Sequence, residues 1–388
     1  MFPSVFRVYT FCLAITLLAI GCYSFSLGDV GKSFKDVVVG VGKDVANTIP
    51  TPEKMFESSK NLIIGYPFEV VSSSINTICS RALSSETIRP RITPDLHEMQ
   101  FQLRTPCKKY NYSLLNADAM WKSSEFDPKK KVVILATGWR TTVNESDTTD
   151  VFAKAYNCRG DVNFVAVDAA NFVDTLYTWS ALNTDEIGRN IAIGLVELTK
   201  IVPVENIHLI GHSLGAHIMG AAGRNFFYQT GKLIPRITAL DPAKPCFNEG
   251  QSLAGLMRGD AEFIDVIHSD PGALGKREPT GDIDFYPGGL GPLPKGCYDI
   301  GCAHARSWQY YAETVYPGNE MSYLGVRCSS LTQAEEGKCP GPKVPMGYAV
   351  PKDLKGNYFL DVNGEEPFGK QSDAALLESK KNCGICQN

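Results

Sequence analysis

Gly211-His212-Ser213-Leu214-Gly215 sets a serine between two glycines in the G-x-S-x-G spacing. An aliphatic hydroxyl is a weak nucleophile unless it stands clear of the chain and beside a base. The spacing meets the first need, because a sharp turn lifts the hydroxyl above a strand end and the glycines leave room for that turn. A chain with 35 glycines in 388 residues produces this pattern by chance about one time in five, so the flanks decide its meaning. Ile207-His208-Leu209-Ile210 reads as an apolar strand entering the turn, and Ala216-His217-Ile218-Met219-Gly220-Ala221-Ala222 reads as a small-residue helix leaving it. Strand, turn and helix together are the context a nucleophile requires. The helix N-terminus also favours developing negative charge, and the backbone N–H of Leu214 is a candidate oxyanion donor.

The hydroxyl needs a base, and the base needs an acid to orient it. In α/β-hydrolases the chain order is serine, acid, histidine. Of six histidines, His268 and His304 follow Ser213 with room for an intervening acid. His212 and His217 flank the serine and suit packing or hydrogen bonding better than proton transfer. His304 opens a helical stretch through Tyr311, whereas His268 ends a strand. Asp241 closes a strand and precedes Pro242, but Asp265, Asp270, Asp282 and Asp284 are rivals that spacing does not dismiss.

Strands and helices alternate around these residues. Apolar runs predict strands at residues 99–104, 132–137, 163–168, 207–211, 236–241, 263–268 and 283–286. Several are continuous rather than alternating, as parallel strands buried on both faces should be. Helical spacing covers residues 150–156, 184–200, 214–228 and 305–315. The class is therefore α/β, with a mostly parallel central sheet flanked by helices.

Net charge is −4, from 38 basic and 42 acidic residues, which argues against a cationic nucleic-acid binder. Twelve cysteines suit an oxidising compartment. Arg7, the apolar run at residues 8–20, and Ser24 and Ser26 have the form of a secretory leader over residues 1–26. Its removal leaves ten cysteines. Residues 27–94 read as a helical N-terminal extension and residues 95–388 as the catalytic domain. Sequons at Asn111 and Asn144 are candidate glycosylation sites on a secreted, extracellular protein.

Several ordered motifs then resemble the pancreatic-type lipase family. They are the Ser213 segment through His217, Leu240-Asp241-Pro242-Ala243-Lys244-Pro245-Cys246-Phe247, Phe263-Ile264-Asp265-Val266-Ile267-His268, Gly281-Asp282-Ile283-Asp284-Phe285-Tyr286-Pro287 and Gly301-Cys302-Ala303-His304-Ala305-Arg306-Ser307. The resemblance implies an α/β-hydrolase fold with Ser213 as nucleophile, Asp241 as acid and His304 as base. It also implies a second oxyanion donor, the Trp139 N–H, in Thr137-Gly138-Trp139, where Thr137 replaces the family's usual histidine. The family's Asp-Trp after its next strand is Asp168-Ala169 here.

Other departures bear on substrate. The family's calcium loop retains only Asp260 as a convincing ligand, too few for a hard oxygen-seeking cation, so no metal and no cofactor are expected. Cys297 and Cys302, which match the disulfide that closes the family's lid, enclose only four residues. The loop at 271–280 is also short, and both features resemble the phospholipase A1 branch. Cys328 and Cys339 match a family disulfide. Cys383 and Cys386 lack a matching second pair for a zinc site and suit structural disulfides. After His304 only 84 residues follow, so no C-terminal β-sandwich domain and no colipase-type partner are expected. The reading is a secreted hydrolase of lipid esters at a micelle or membrane surface. The alternative is a binding protein like the yolk proteins of the same superfamily, which typically lose the serine motif.

Overall fold

Val132 to Ala136 are five consecutive buried apolar residues, and their side chains divide by strand periodicity. In the computed structural model Val132, Ile134 and Ala136 join one hydrophobic cluster, while Val133 and Leu135 join another. Alternate residues of one strand thus serve two separate cores. The structure describes residues 98–138, 147–169, 177–247, 253–336 and 338–386. The predicted leader and N-terminal extension, together with Trp139 and Asn144, lie outside these residues.

Among the described residues, eleven strands make one sheet. They are β1 Gln100–Arg104, β2 Lys109–Ser113, β3 Lys131–Ala136, β4 Val162–Asp168, β5 Ile207–His212 and β6 Ile237–Leu240, followed by β7 Ile264–Ile267, β8 Ile283–Pro287, β9 Leu324–Cys328, β10 Lys343–Pro345 and β11 Gly356–Leu360. The order across the sheet is β10-β9-β11-β8-β7-β6-β5-β3-β4-β1-β2. From β4 through β3, β5, β6, β7 and β8 to β11 every pairing is parallel. Antiparallel strands β1, β2, β9 and β10 finish the two edges.

Helices cover both faces. α1 Ala117–Trp121, α4 Thr184–Leu198 and α5 Leu214–Thr230 pack on one side, through Trp121, Ile187, Ile191, Leu195 and Met219. α2 Asp147–Arg159 and α6 Ile300–Val315 pack on the other, through Phe152, Tyr156, Tyr310 and Tyr311. Short helices α3 Tyr177–Leu182, α7 Leu331–Glu335 and α8 Ala374–Ser379 complete the described α-helices. Two helical layers around a mainly parallel sheet with these crossovers form an α/β-hydrolase fold.

Cys383 and Cys386 do not close on each other. Cys383 pairs with Cys158 at the end of α2, and Cys386 pairs with Cys107 beside β2, across 225 and 279 residues respectively. Cross-links over loops this long restrict the unfolded chain strongly. Cys297–Cys302 and Cys328–Cys339 are paired as the family resemblance implied. Asn111 is exposed on β2.

Candidate active site

The parallel register levels the C-terminal ends of the central strands. Gly211 pairs with Ala136 and Ala239, His212 with Leu240, and Leu240 with Ile267. Ser213, Asp241 and His268 therefore leave β5, β6 and β7 at one edge, where open α/β sheets place their ligands.

Ser213 sits at the turn from β5 to α5 with φ 58° and ψ −121°. Non-glycine residues seldom hold positive φ, and the surroundings must impose it. Here the Ser213 N–H donates to Leu240 O at 3.0 Å, and its carbonyl accepts from the Ala216 and Ala243 N–H groups. The glycines are required sterically. A Cβ on Gly211 would strike the Gly215 carbonyl, and one on Gly215 would strike the Ala136 carbonyl. Gly138 completes the enclosure, since a Cβ there would lie 2.6 Å from Ser213 Cβ and 3.1 Å from its Oγ. Gly138, the second residue after β3, thus packs against the serine side chain. Leu214 holds the first helical position, whose N–H has no intrahelical acceptor and is open to an oxyanion.

His304 lies in the first turns of α6, whose N-terminus is capped by Asp299 accepting from Cys302 N–H at 2.8 Å. Its Nδ1–H donates to Asp241 Oδ2 at 2.5 Å. That bond leaves Nε2 as the free acceptor, the tautomer a general base requires. Asp241 is fully buried, and its Oδ1 accepts the Ser269 and Asp270 N–H groups at 2.9 and 3.1 Å. Gly275 lets this loop close over the acid, because a Cβ there would strike the carboxylate.

The other acids have different partners. Asp265 receives both Arg236 Nε and Nη2, at 2.8 and 2.9 Å. Asp284 bonds His268 Nε2 at 2.8 Å, and the His268 ring stacks on Tyr286. Asp282 accepts the Ile264 N–H at 3.0 Å and lies 3.6 Å from the Lys355 amine. Asp270 lies close to both but accepts the Leu274 N–H, and Asp241 is the acid hydrogen-bonded to His304; the choice among rivals lies in contacts between distant segments.

The flanking histidines also resolve. His217 donates from Nε2 to Ala243 O and accepts the Leu256 N–H at Nδ1, and burial pushes its pKa down to about 3. It is a neutral structural imidazole. His212 donates from Nε2 to the His304 carbonyl at 3.2 Å, with ring centroids 4.7 Å apart. Burial first, then repulsion from His304, lowers its pKa to about 3. Ser307 Oγ donates to the same carbonyl at 3.1 Å. Sequence reasoning gave no positioning role to His212, Ser269 or Ser307, since nothing local marks a residue that braces a distant backbone.

The family model described as Lipase matches residues 69–368. The chain belongs to the lipase family. Vitellogenin-3 of Drosophila melanogaster is 35% identical over 292 residues, 74% of this chain and 66% of that protein. Vitellogenin-2 of Ceratitis capitata is 30% identical, covering 81% of this chain and 83% of that protein. Pancreatic lipase-related protein 2 of Bos taurus is 32% identical, covering 64% of this chain and 57% of its own. The chain spans a little over half the length of that bovine relative.

Within this lipase-family framework, Asp260 meets its charge in another way. Its Oδ1 accepts from Arg224 Nη1 at 2.7 Å and its Oδ2 from the Met257 N–H at 3.0 Å. A guanidinium already neutralises the one convincing carboxylate of the loop, so these residues do not fit calcium, which takes six to eight oxygens. Hydrolysis should persist after EDTA treatment. Loss of rate in chelator, restored by calcium alone, would show that the cation binds through oxygens other than these.

Proposed function

We propose that this lipase-family chain is a carboxylic-ester hydrolase acting on lipid esters through Ser213, His304 and Asp241. The observation that carries the reading is the part-buried Asp241–His304 hydrogen bond at 2.5 Å, with Asp241 at the end of β6 and Ser213, held at φ 58°, at the end of the neighbouring strand β5. Ser213 Oγ attacks the ester carbonyl while His304 Nε2 takes its proton. Asp241 stabilises the resulting imidazolium, and His304 then protonates the leaving alcohol. Water, activated by the same histidine, releases the acid from the acyl-enzyme. Leu214 and Trp139 N–H groups are the oxyanion donors in this scheme. Secretion follows from the leader-like N-terminus and is supported by the four disulfides described above.

Substrate access follows from the loop closed by Cys297 and Cys302. It encloses four residues and projects Tyr298 into solvent, with no length for a hinged cover. An ungated site should hydrolyse soluble short-chain esters with no rate jump when the substrate forms micelles. It should also cleave phospholipid at least as fast as triacylglycerol. A sharp increase on micelle formation would contradict the open site. Triacylglycerol cleavage without lysophospholipid would contradict the phospholipase A1 preference and leave the triad standing.

The two vitellogenin relatives favour a second reading, a lipid- or ligand-binding protein without catalysis. Labelling with a fluorophosphonate probe and mapping the adduct separates the two. Stoichiometric adduct on Ser213 is expected of the hydrolase; a folded protein with unlabelled Ser213 would favour binding alone.

A further inference from the structure

Asp270 is a fully buried carboxyl that the scheme above does not use. Its Oδ2 accepts the Leu274 N–H at 2.9 Å, but its Oδ1 is buried with no hydrogen-bond partner among the described residues. An ionised oxygen left in this condition is costly. Asp241 stands next to it: one oxygen of each carboxyl and a ring nitrogen of His304 lie within 4.8 Å of one another. Their donors are divided unequally. Asp241 has the His304 Nδ1–H and the N–H groups of Ser269 and Asp270 itself. The cations nearby are directed at carbonyls, Lys244 Nζ at Gly272 O and Lys276 Nζ at Phe247 O. His268, at the start of the same loop, is paired with Asp284. Two like charges in so dry a place, facing one imidazole, do not both ionise.

We propose that Asp270 is a positioning residue that keeps a proton through the neutral range, so that the Asp241–Asp270 pair presents one negative charge to His304. The proton turns the orphaned Oδ1 into a hydroxyl and removes repulsion that would push Asp241 out of its N–H cradle. Its consequence for catalysis rests on the Ser213–His304–Asp241 reading; the proton itself does not. Burial, and after it the charge of Asp241, pushes the Asp270 pKa up to about 9.

The sign of the effect on stability follows. Below about pH 4 the carboxyl is protonated both folded and unfolded. From there to about pH 9 only the unfolded chain releases the proton, so folded stability falls as pH rises. Asp270→Asn keeps the shape of the neutral acid and cannot ionise. Relative to the parent, its melting temperature should therefore rise by about 3 °C or more between pH 5 and pH 8. A constant or falling difference would overturn the proposal. Should the variant fail to fold, ¹³C NMR of aspartate-labelled parent protein should show one carboxyl titrating near pH 9; all aspartates titrating below pH 6 would overturn it. Neither measurement needs hydrolysis, so failure here is distinct from an unlabelled Ser213. The positioning role has its own readout. The parent kcat/KM should decline with an ionisation near pH 9 that Asp270→Asn lacks, and a decline retained in the variant would remove that role.

Discussion

Ser213→Ala is expected to abolish ester hydrolysis while leaving the fold intact. In the proposed mechanism the hydroxyl forms the bond to the acyl group, and no other side chain in the turn can supply that oxygen. Other serine triads lose on the order of 10⁴-fold or more in kcat when the nucleophile is removed. The fold should be indifferent because the strained turn is held by its backbone, through Leu240 O, Ala216 N–H and Ala243 N–H. The side chain makes no cap hydrogen bond at the start of α5. Alanine retains a Cβ and therefore the same strain, of order 1–3 kcal/mol, so the two proteins carry it equally. The check is kcat on a soluble ester beside a melting curve. An inactive variant that melts with its parent supports the nucleophile; an active one moves the chemistry elsewhere.

The serine was legible because its whole context is local: β5, the turn and α5 are consecutive in sequence. The central strands were legible for a related reason, since β3 to β8 are apolar runs covered on both faces. Their edges were not. β2 is Lys-Tyr-Asn-Tyr-Ser with an exposed Lys109, and β10 has three residues. β9 carries a half-exposed pattern around Arg327. Such segments pair because a neighbour offers an edge, which no periodicity records. α6 starts at Ile300, five residues before the sequence placed it, because the Asp299 side chain caps the Cys302 N–H inside the disulfide loop. The acid was ambiguous for a deeper reason. Asp241 and Asp265 both belong to strand segments, and what distinguishes them is Arg236 for one and His304 for the other. Those partners are 29 and 63 residues away.

Asp241→Asn should then cost far more turnover than an Asn substitution at Asp265, Asp282 or Asp284. The cradle dictates how the new amide must turn. Oδ1 of Asp241 faces two N–H donors, from Ser269 and Asp270. An amide placed there keeps its oxygen toward those donors and directs its NH₂ at His304. Nδ1 must then accept rather than donate, which moves the ring proton to Nε2. A histidine in that tautomer cannot take the proton of Ser213, and the neutral amide gives the imidazolium no charge to lean on. The loss in the protease precedent is about 10⁴-fold in kcat. Asp265→Asn acts through another route. It leaves the buried Arg236 without its charge partner, a defect worth roughly 3–5 kcal/mol of stability when one member of a buried pair is removed. Its signature is a lowered melting temperature with kcat per folded molecule preserved. Measuring both quantities for each variant separates the two kinds of damage. If Asp265→Asn were the silent enzyme and Asp241→Asn a merely destabilised one, the base would take its orientation from a carboxylate other than the one at 2.5 Å.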